Sequence, residues 1–502
     1  MGKSKPRVVV IGAGIGGLTA GALLAHRGYS VLILDQALVP GGCASTFKRK
    51  GFTFDVGATQ VAGLEPGGIH HRIFSELGID MPEATHCDPA CAVFLPGENT
   101  PINVWRDPEK WKEERNKQFP GSEPFWGLLA ELFKASWAFQ ARDPVLPPRN
   151  VWDLWQLTQA VRPSTFITVP YTLFTVGDAL RAYGLGNDKR LQTFLDLQLK
   201  LYSQVSAEET ALLYAATALS VSQAPQGLFH LKGSMQVLSD CLVTALERDG
   251  GKLLMRHTVE NIIVKKGKAV SIIVKNQKTG EIWEEPADHI VANVTVQNLV
   301  QLLGDKAPQS YRKRVSKLPS PSGAFVVYLG VDASAIPPEC PPHLQFLYNQ
   351  NGPVGENNSL FVSVSREGDG RAPLGKATII ASSFVDVERW WSEDYEALKQ
   401  KFTSEAISHL NKYFYLKPET LIHVEAATPR TFYRYTGRDK GIVGGIGQRI
   451  PTFGPFGFAN RTPIAGLWLV GDSTHPGEGT AGVSYSALTV VRQIEQKLVG
   501  AG

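Results

Sequence analysis

Cysteine is scarce in this 502-residue sequence: five in all, at 43, 87, 91, 241 and 340. An odd, scattered set fits neither a disulfide framework nor a zinc pattern, so a reducing compartment is the simpler expectation. Cys87 and Cys91 stand closest together, in CDPAC, but three intervening residues, Pro89 among them, fit no thioredoxin-like redox motif. Charge of one sign is lacking too. The 51 basic and 47 acidic residues nearly cancel, and no basic cluster such as Lys48-Arg49-Lys50 exceeds three residues, which is not the footprint of a nucleic-acid binder. No apolar run approaches the ~20 residues that span a bilayer. A first strand expected from about Arg7 leaves no room for a cleavable leader, and Pro6 stands where a myristoylation signal needs Ser or Thr. Internal repeats are absent.

What is present reads as an ordinary globular chain, 43% hydrophobic and 20% charged. It is too long for one simple core, so two domains are expected. Residues 7 to 35, RVVVIGAGIGGLTAGALLAHRGYSVLILD, read as strand, glycine turn, helix and second strand, a βαβ unit with a buried parallel pair. From Asp80 to about Gln223 the pattern is helical and irregular, rich in Trp, Phe and Pro, with no alternating strands. An αβ pattern resumes with a helix that runs through Gly250-Gly251 into a strand. It continues as a β-ribbon (Val259 to Val264, Ala269 to Lys275) and an apolar strand at Ile290 to Val294. AFVVYLGV, LFVSVS and ATIIASSFV then predict an antiparallel sheet. LWLVGD returns to a buried strand, and a closing helix carries Ala487, Leu488, Val491, Ile494 and Leu498 on one face.

The economical reading is α/β: a Rossmann-like nucleotide domain from residues 1–80, 224–300 and 455–502, interleaved with an α+β substrate domain. The insertions are a helical part at 81–223, with possible membrane-facing segments, and a β-sheet part at 301–454.

Gly12, Gly14, Gly16 and Gly17 lie in GAGIGG, directly after a strand and at the start of a helix. In a GxGxxG loop the first glycine permits the tight turn, the second admits a pyrophosphate and the third lets helix pack on strand. Helix amides then face the phosphate charge. Asp35 ends the second strand, placed to accept ribose hydroxyls. This motif alone does not separate NAD from FAD, but two further segments do. Gly41 and Gly42 open a second backbone-rich stretch. VGDSTHPGEGTAGVSYSA, Val470 to Ala487, adds a third, with Asp472 for a polyol hydroxyl and Gly477, Gly479 and Gly482 leaving amides open beside a ring. A flavin held along its whole length needs that distant element, and a nicotinamide dinucleotide does not. No second GxGxxG exists, and GGIG at Gly444 to Gly447 is incomplete. Electrons are therefore expected to leave the flavin to oxygen, a quinone or a substrate, with no NADPH domain involved.

VVVIGAGIGGLTAGALLAHRGYSVLILD, PGGCASTFKRKGFTFDVGAT, LKGSMQVLSDCLVTALERDGGKLL and LVGDSTHPGEGTAGVSYSA, in that order, resemble the carotenoid (phytoene-type) desaturase and carotenoid isomerase flavoproteins, within the wider amine-oxidase-like group. The resemblance covers nearly the whole chain. It implies FAD along Gly12, Gly14, Gly17 and Asp35, a backbone contact to adenine near Val259, ribityl contacts from Gly471 and Asp472, and Gly482 and Val483 against the isoalloxazine. Many relatives carry Arg after the double glycine where this chain has Cys43; either backbone amides compensate or an Arg comes from elsewhere. TPRTFYRYTGRDKGIVGGIGQ is most similar to bacterial C-3',4' carotenoid desaturases, which implies hydride transfer from an acyclic or monocyclic carotenoid end to the flavin. Carotenoid cis-trans isomerases are the runner-up. Prenyl-binding escorts of the GDP-dissociation-inhibitor type are the non-enzyme alternative, which the intact Asp472 and PGEGTAG loop disfavour.

No motif identifies the base, and the catalytic assignment stays open. His475 and Glu478 lie in the third loop and Arg430 and Tyr433 in the expected substrate region, each with a bland reading as loop or surface residue. Pro124 to Leu157 holds four of the ten tryptophans. Trp126, Phe133, Trp137 and Trp155 are either core of a helical subdomain or rings at headgroup depth. Because a carotenoid dissolves only in lipid, peripheral contact on the cytoplasmic side of a membrane is the expectation.

Overall fold

A computed structural model describes residues 5–499; Met1 to Ser4 and the Leu498 side chain lie outside the described residues. Strand Arg7–Ile11 sits at the centre of a five-stranded parallel sheet. Ser30–Asp35 and Lys252–Met255 lie to one side of it, and His289–Ala292 and Leu467–Leu469 to the other. Three distant stretches of chain thus meet in one sheet. Val8 and Val10 pack on one face among helices, and Val9 and Ile11 pack on the other. A strand covered on both faces has no polar side, and this is why it reads as an unbroken apolar run.

On the first face lies helix Ile15–His26, packed between helices Gln236–Arg248 and Gly479–Val499. Every residue from Ile15 to Ala25 is buried, as expected of a helix apolar all round. Ala487, Leu488, Val491 and Ile494 of the last helix join the same core. The opposite face is covered by an antiparallel sheet of His257–Lys265, Lys268–Asn276 and Ile282–Pro286.

A seven-stranded sheet forms the second body, in the order Leu421–Ala427, Ser322–Asp332, Lys376–Asp386, Ser359–Val364, His343–Leu347, Cys91–Phe94, Ile102–Val104. Alternation separates its faces: Phe325, Val327 and Leu329 pack under helix Tyr395–Leu410, while Ala324, Val326 and Tyr328 pack with Phe52 and Phe54.

Two of these strands correct the sequence reading, which gave 81–223 as strandless. Cys91–Phe94 and Ile102–Val104 extend the sheet, and Ala84–His86 pairs with Phe229–Leu231. Strands of three or four residues are too short to show a period, and the strands that tie Cys91–Phe94 and Ala84–His86 into sheets lie more than a hundred residues away in sequence. The rest of the segment is helical around Trp111, Phe119, Trp126 and Phe194. Cys87 and Cys91 are free and buried there, and burial pushes their thiols up to about 11 and about 12, the opposite of a reactive pair.

Candidate active site

The first strand ends in a turn that only glycine accommodates. Gly12 has φ +97°, and a Cβ there would lie 2.7 Å from the Asn293 carbonyl oxygen. Helix Ile15–His26 begins with no side-chain cap, so its first amides remain free for an anion. The second glycine segment closes onto the first: Gly14 bridges to Gly41, and Gly41 N–H donates to the Ala13 carbonyl at 2.8 Å. Asp35 locks this junction by accepting from Ala13 N–H at 2.6 Å and Ala37 N–H at 2.7 Å. Asp35 also lines the cavity, and burial raises its pKa above the usual carboxylate value despite those two bonds.

Gly12, Gly14, Gly16, Asp35, Gly41, Gly42, Val259, Gly471, Asp472, Gly479, Gly482 and Val483, but neither Gly17 nor Gly477, line one cavity of about 1040 Å³, at the upper end of the ~300–1,000 Å³ usual for small-molecule sites. Gly17 acts behind the wall, where a Cβ would fall 2.0 Å from the Gly12 carbonyl oxygen; this is helix packed on strand. At Val259 the ladder shifts register before Asn261, a bulge that leaves backbone groups unpaired at the cavity edge. Gly471, Asp472, Gly482 and Val483 form the far wall. The free helix amides and a cradle that any Cβ would fill fit a dinucleotide with an extended second half.

Three residues of the site escaped sequence reasoning. Asn293, at the carboxyl end of strand His289–Ala292, backs the whole glycine loop and donates from Nδ2 to the Gly12 carbonyl at 3.4 Å. Its place beside the central strand, where α/β sheets bind ligands, was the available signal. Arg438 brings a guanidinium to Asp472, Nη2 to Oδ2 at 2.8 Å, and also donates to the carbonyls of Ile442 and Gly444. Burial works against its charge, but Asp472 and Cys43 more than offset this and hold its pKa above the usual value. Burial likewise pushes the Cys43 thiol up, and Arg438 acts against that shift. A cation therefore stands beside Cys43, supplied from elsewhere in the chain. Gln204, the third, donates from Nε2 to Glu478 Oε2 at 3.0 Å.

Of the side chains weighed as proton carriers, His475 and Glu478 line the cavity, whereas Arg430 and Tyr433 do not. Arg430 clamps Tyr395 and the Trp390 carbonyl, and Tyr433 is half-exposed against Trp391. Burial lowers His475 to about 4, and its Nε2 pairs with Gln140, so the ring is neutral. The aromatic stretch divides: Trp126 is core, Trp137 lines the cavity against Phe133, and Trp155 is 58% exposed.

Away from the glycine cradle the wall is mostly apolar, with Leu146, Val161, Leu213, Val326, Phe361 and Phe453. It ends at Pro163–Leu173, a 3₁₀ segment whose Thr165, Thr168 and Thr172 line the cavity while Phe166, Ile167, Val169 and Leu173 are exposed.

Comparison with known proteins agrees with this geometry. A profile for NAD(P)-binding Rossmann-like domains matches residues 10–77. Prolycopene isomerase 1 of an Oncidium hybrid is 29% identical, with 98% of this chain and 84% of the relative covered. A zeta-carotene-forming phytoene desaturase of Myxococcus xanthus is 25% identical, over 97% and 93%. Cyclohexylamine oxidase from Brevibacterium oxydans superposes with a TM-score of 0.61 at 17% identity, over 98% and 100%, and shares the fold. A dinucleotide cradle continuous with an apolar chamber thus stands on a chain that is similar over nearly its whole length to a carotenoid isomerase and a carotenoid desaturase.

Proposed function

We propose that the protein binds FAD and acts on carbon–carbon bonds of a carotenoid. The observation that carries this reading is the continuity of one cavity from the Gly12–Asp35 cradle, past Asp472 and Glu478, to the segment Pro163–Leu173, whose outer side exposes apolar side chains. Asp35 and the bulge at Val259 are placed for the adenosine end, the free amides after Gly14 for the diphosphate, and Asp472 for the ribityl chain. Bound FAD supplies a hydride acceptor next to a chamber that excludes water. The protein's own part is to lay an extended hydrocarbon along Leu213, Val326 and Phe361.

Desaturation near a polyene end, of C-3',4' type, is the first reading, with oxygen or a quinone as electron acceptor. Cis-trans isomerisation is the second, favoured by the nearly full-length likeness to prolycopene isomerases. The exposed apolar side of Pro163–Leu173 supports peripheral contact with a bilayer, from which such a substrate would enter; among the described residues no helix is long and apolar enough to cross one. Coexpression with pathways that accumulate different acyclic and monocyclic carotenoids, followed by chromatography and mass measurement, decides the chemistry. Loss of two mass units marks desaturation, and an unchanged mass at a new retention time marks isomerisation. No change with any carotenoid overturns the reading.

A further inference from the structure

Glu478 stands where the third glycine segment enters the last helix, with its side chain in the cavity wall. Oε2 accepts from Gln204 Nε2, while Oε1 is buried with no partner in hydrogen-bond geometry; the Gly445 backbone and the Gln448 side chain stand close enough to favour the ionised form, but less than burial opposes it. The fit around it is close: a Cβ on Gly444 would lie 2.5 Å from Oε2. Every charged group nearby is committed elsewhere or repels it. Asp472 adds a second negative charge and raises its proton affinity. Arg438 is held by Asp472 and by the Gly444 carbonyl, and Lys200 Nζ by the Gln204 carbonyl and Ser322. The Tyr214 hydroxyl donates to the Tyr202 carbonyl at 2.5 Å, and its burial keeps it protonated. An ionised carboxylate with one unmet oxygen in such a place is costly. Burial first, then the charge of Asp472, push Glu478 up to about 8, so it carries its proton at pH 7 and releases it within an accessible range, as an acid–base group requires.

We propose that Glu478 is the proton-transfer residue of this site, exchanging a proton directly with the carbon skeleton of the polyene. The proposal rests on the carotenoid reading above. In isomerisation the carboxyl O–H breaks and a C–H bond forms at the expense of one π bond, leaving a delocalised cation. Rotation about the released bond follows; that C–H then breaks, its electrons restore the π bond, and the proton returns to the carboxylate. In desaturation one carbon loses a hydride to oxidised FAD, the C–H electrons of its neighbour become the new π bond, and the proton passes to ionised Glu478. The two chemistries need opposite protonation states, so the pH profile tells them apart.

The test uses the purified flavin-loaded protein and E478Q, which keeps the shape and an acceptor for Gln204. Flavin content and thermal unfolding first establish that the variant folds. The wild-type rate on its carotenoid is expected to fall above pH ~8 for isomerisation or to rise towards pH ~8 for desaturation; E478Q should lose about 10²-fold in rate, and its residual activity should lose that inflection. Independently of turnover, titrating the bound flavin's absorbance should show an ionisation near pH 8 in wild type that is absent in E478Q. A folded E478Q with the wild-type rate and profile overturns the proposal, as does a flavin titration unchanged by the substitution. If no carotenoid reacts with either protein, the substrate reading fails instead, and the absorbance titration still reports whether Glu478 ionises beside the cofactor.

Discussion

Arg438 and Asp472 pair at 2.8 Å in the wall of the cavity, both side chains mostly shielded from water, with the Cys43 thiol close enough to the guanidinium to interact with its charge. The pair joins a loop after helix Pro429–Thr436 to the glycine segment before the last helix, so the cradle is completed by two stretches distant in sequence from its first loop. Removing one partner of a shielded pair leaves the other charge uncompensated.

Arg438→Gln should therefore destabilise the protein by about 3 kcal/mol and lower its flavin content, read by denaturant unfolding and by the flavin-to-protein absorbance ratio. Asp472→Ala strands the guanidinium in turn and should also reduce FAD retention. Unchanged flavin content in both variants would remove Asp472 and Arg438 from the site.

Glu478 also makes stability depend on pH. Its folded value of about 8 lies above the ordinary carboxylate range, so the folded state holds the proton more tightly. That contribution is complete below about pH 4.5 and is lost as pH rises through about 8. Gln at this position does not titrate. The stability of E478Q relative to wild type should rise between pH 5 and pH 8, by up to about 4 kcal/mol, measured by unfolding at each pH. A difference constant across that range would contradict it.

Gly17 touches no ligand space, yet a methyl there meets the Gly12 carbonyl oxygen at 2.0 Å. Gly17→Ala should force helix Ile15–His26 off the central strand, and the protein should be recovered without flavin or not recovered as soluble material.

Phe166 and Leu173, 63% and 65% exposed on the outer side of Pro163–Leu173, bring apolar area that a bilayer interface would cover at ~25 cal/mol per Å². Replacing both by Ser should reduce co-sedimentation with liposomes by tenfold or more while leaving flavin content intact. Equal sedimentation of the two proteins would locate membrane contact elsewhere or nowhere.

The dinucleotide loop was readable because its chemistry is local: Gly12, Gly14 and Gly17 sit within six residues of each other, and Asp35 ends the next strand. The strand at Arg7–Ile11 and the helix after it announce themselves by composition for the same reason. The short strands Cys91–Phe94 and Ile102–Val104 do not, since only a neighbouring strand makes a stretch that short extended. Asn293, Gln204 and Arg438 were invisible because an amide or a guanidinium carries no motif of its own. Each matters through a contact with a residue far away in the chain.

By itself, then, the sequence determined that a buried parallel strand pair ends in a phosphate-type turn, and that a third glycine segment lies near residue 480; backbone geometry and hydrophobic periodicity act over a few residues and leave their mark in order. Tertiary structure decided what those segments face. It set Glu478 in a water-poor wall beside Asp472, which shifts its proton affinity, gave Cys43 a guanidinium neighbour, and turned the threonines of Pro163–Leu173 inward and its apolar side chains outward. Charge interactions and burial depend on distances in space, and the folded chain alone sets those distances.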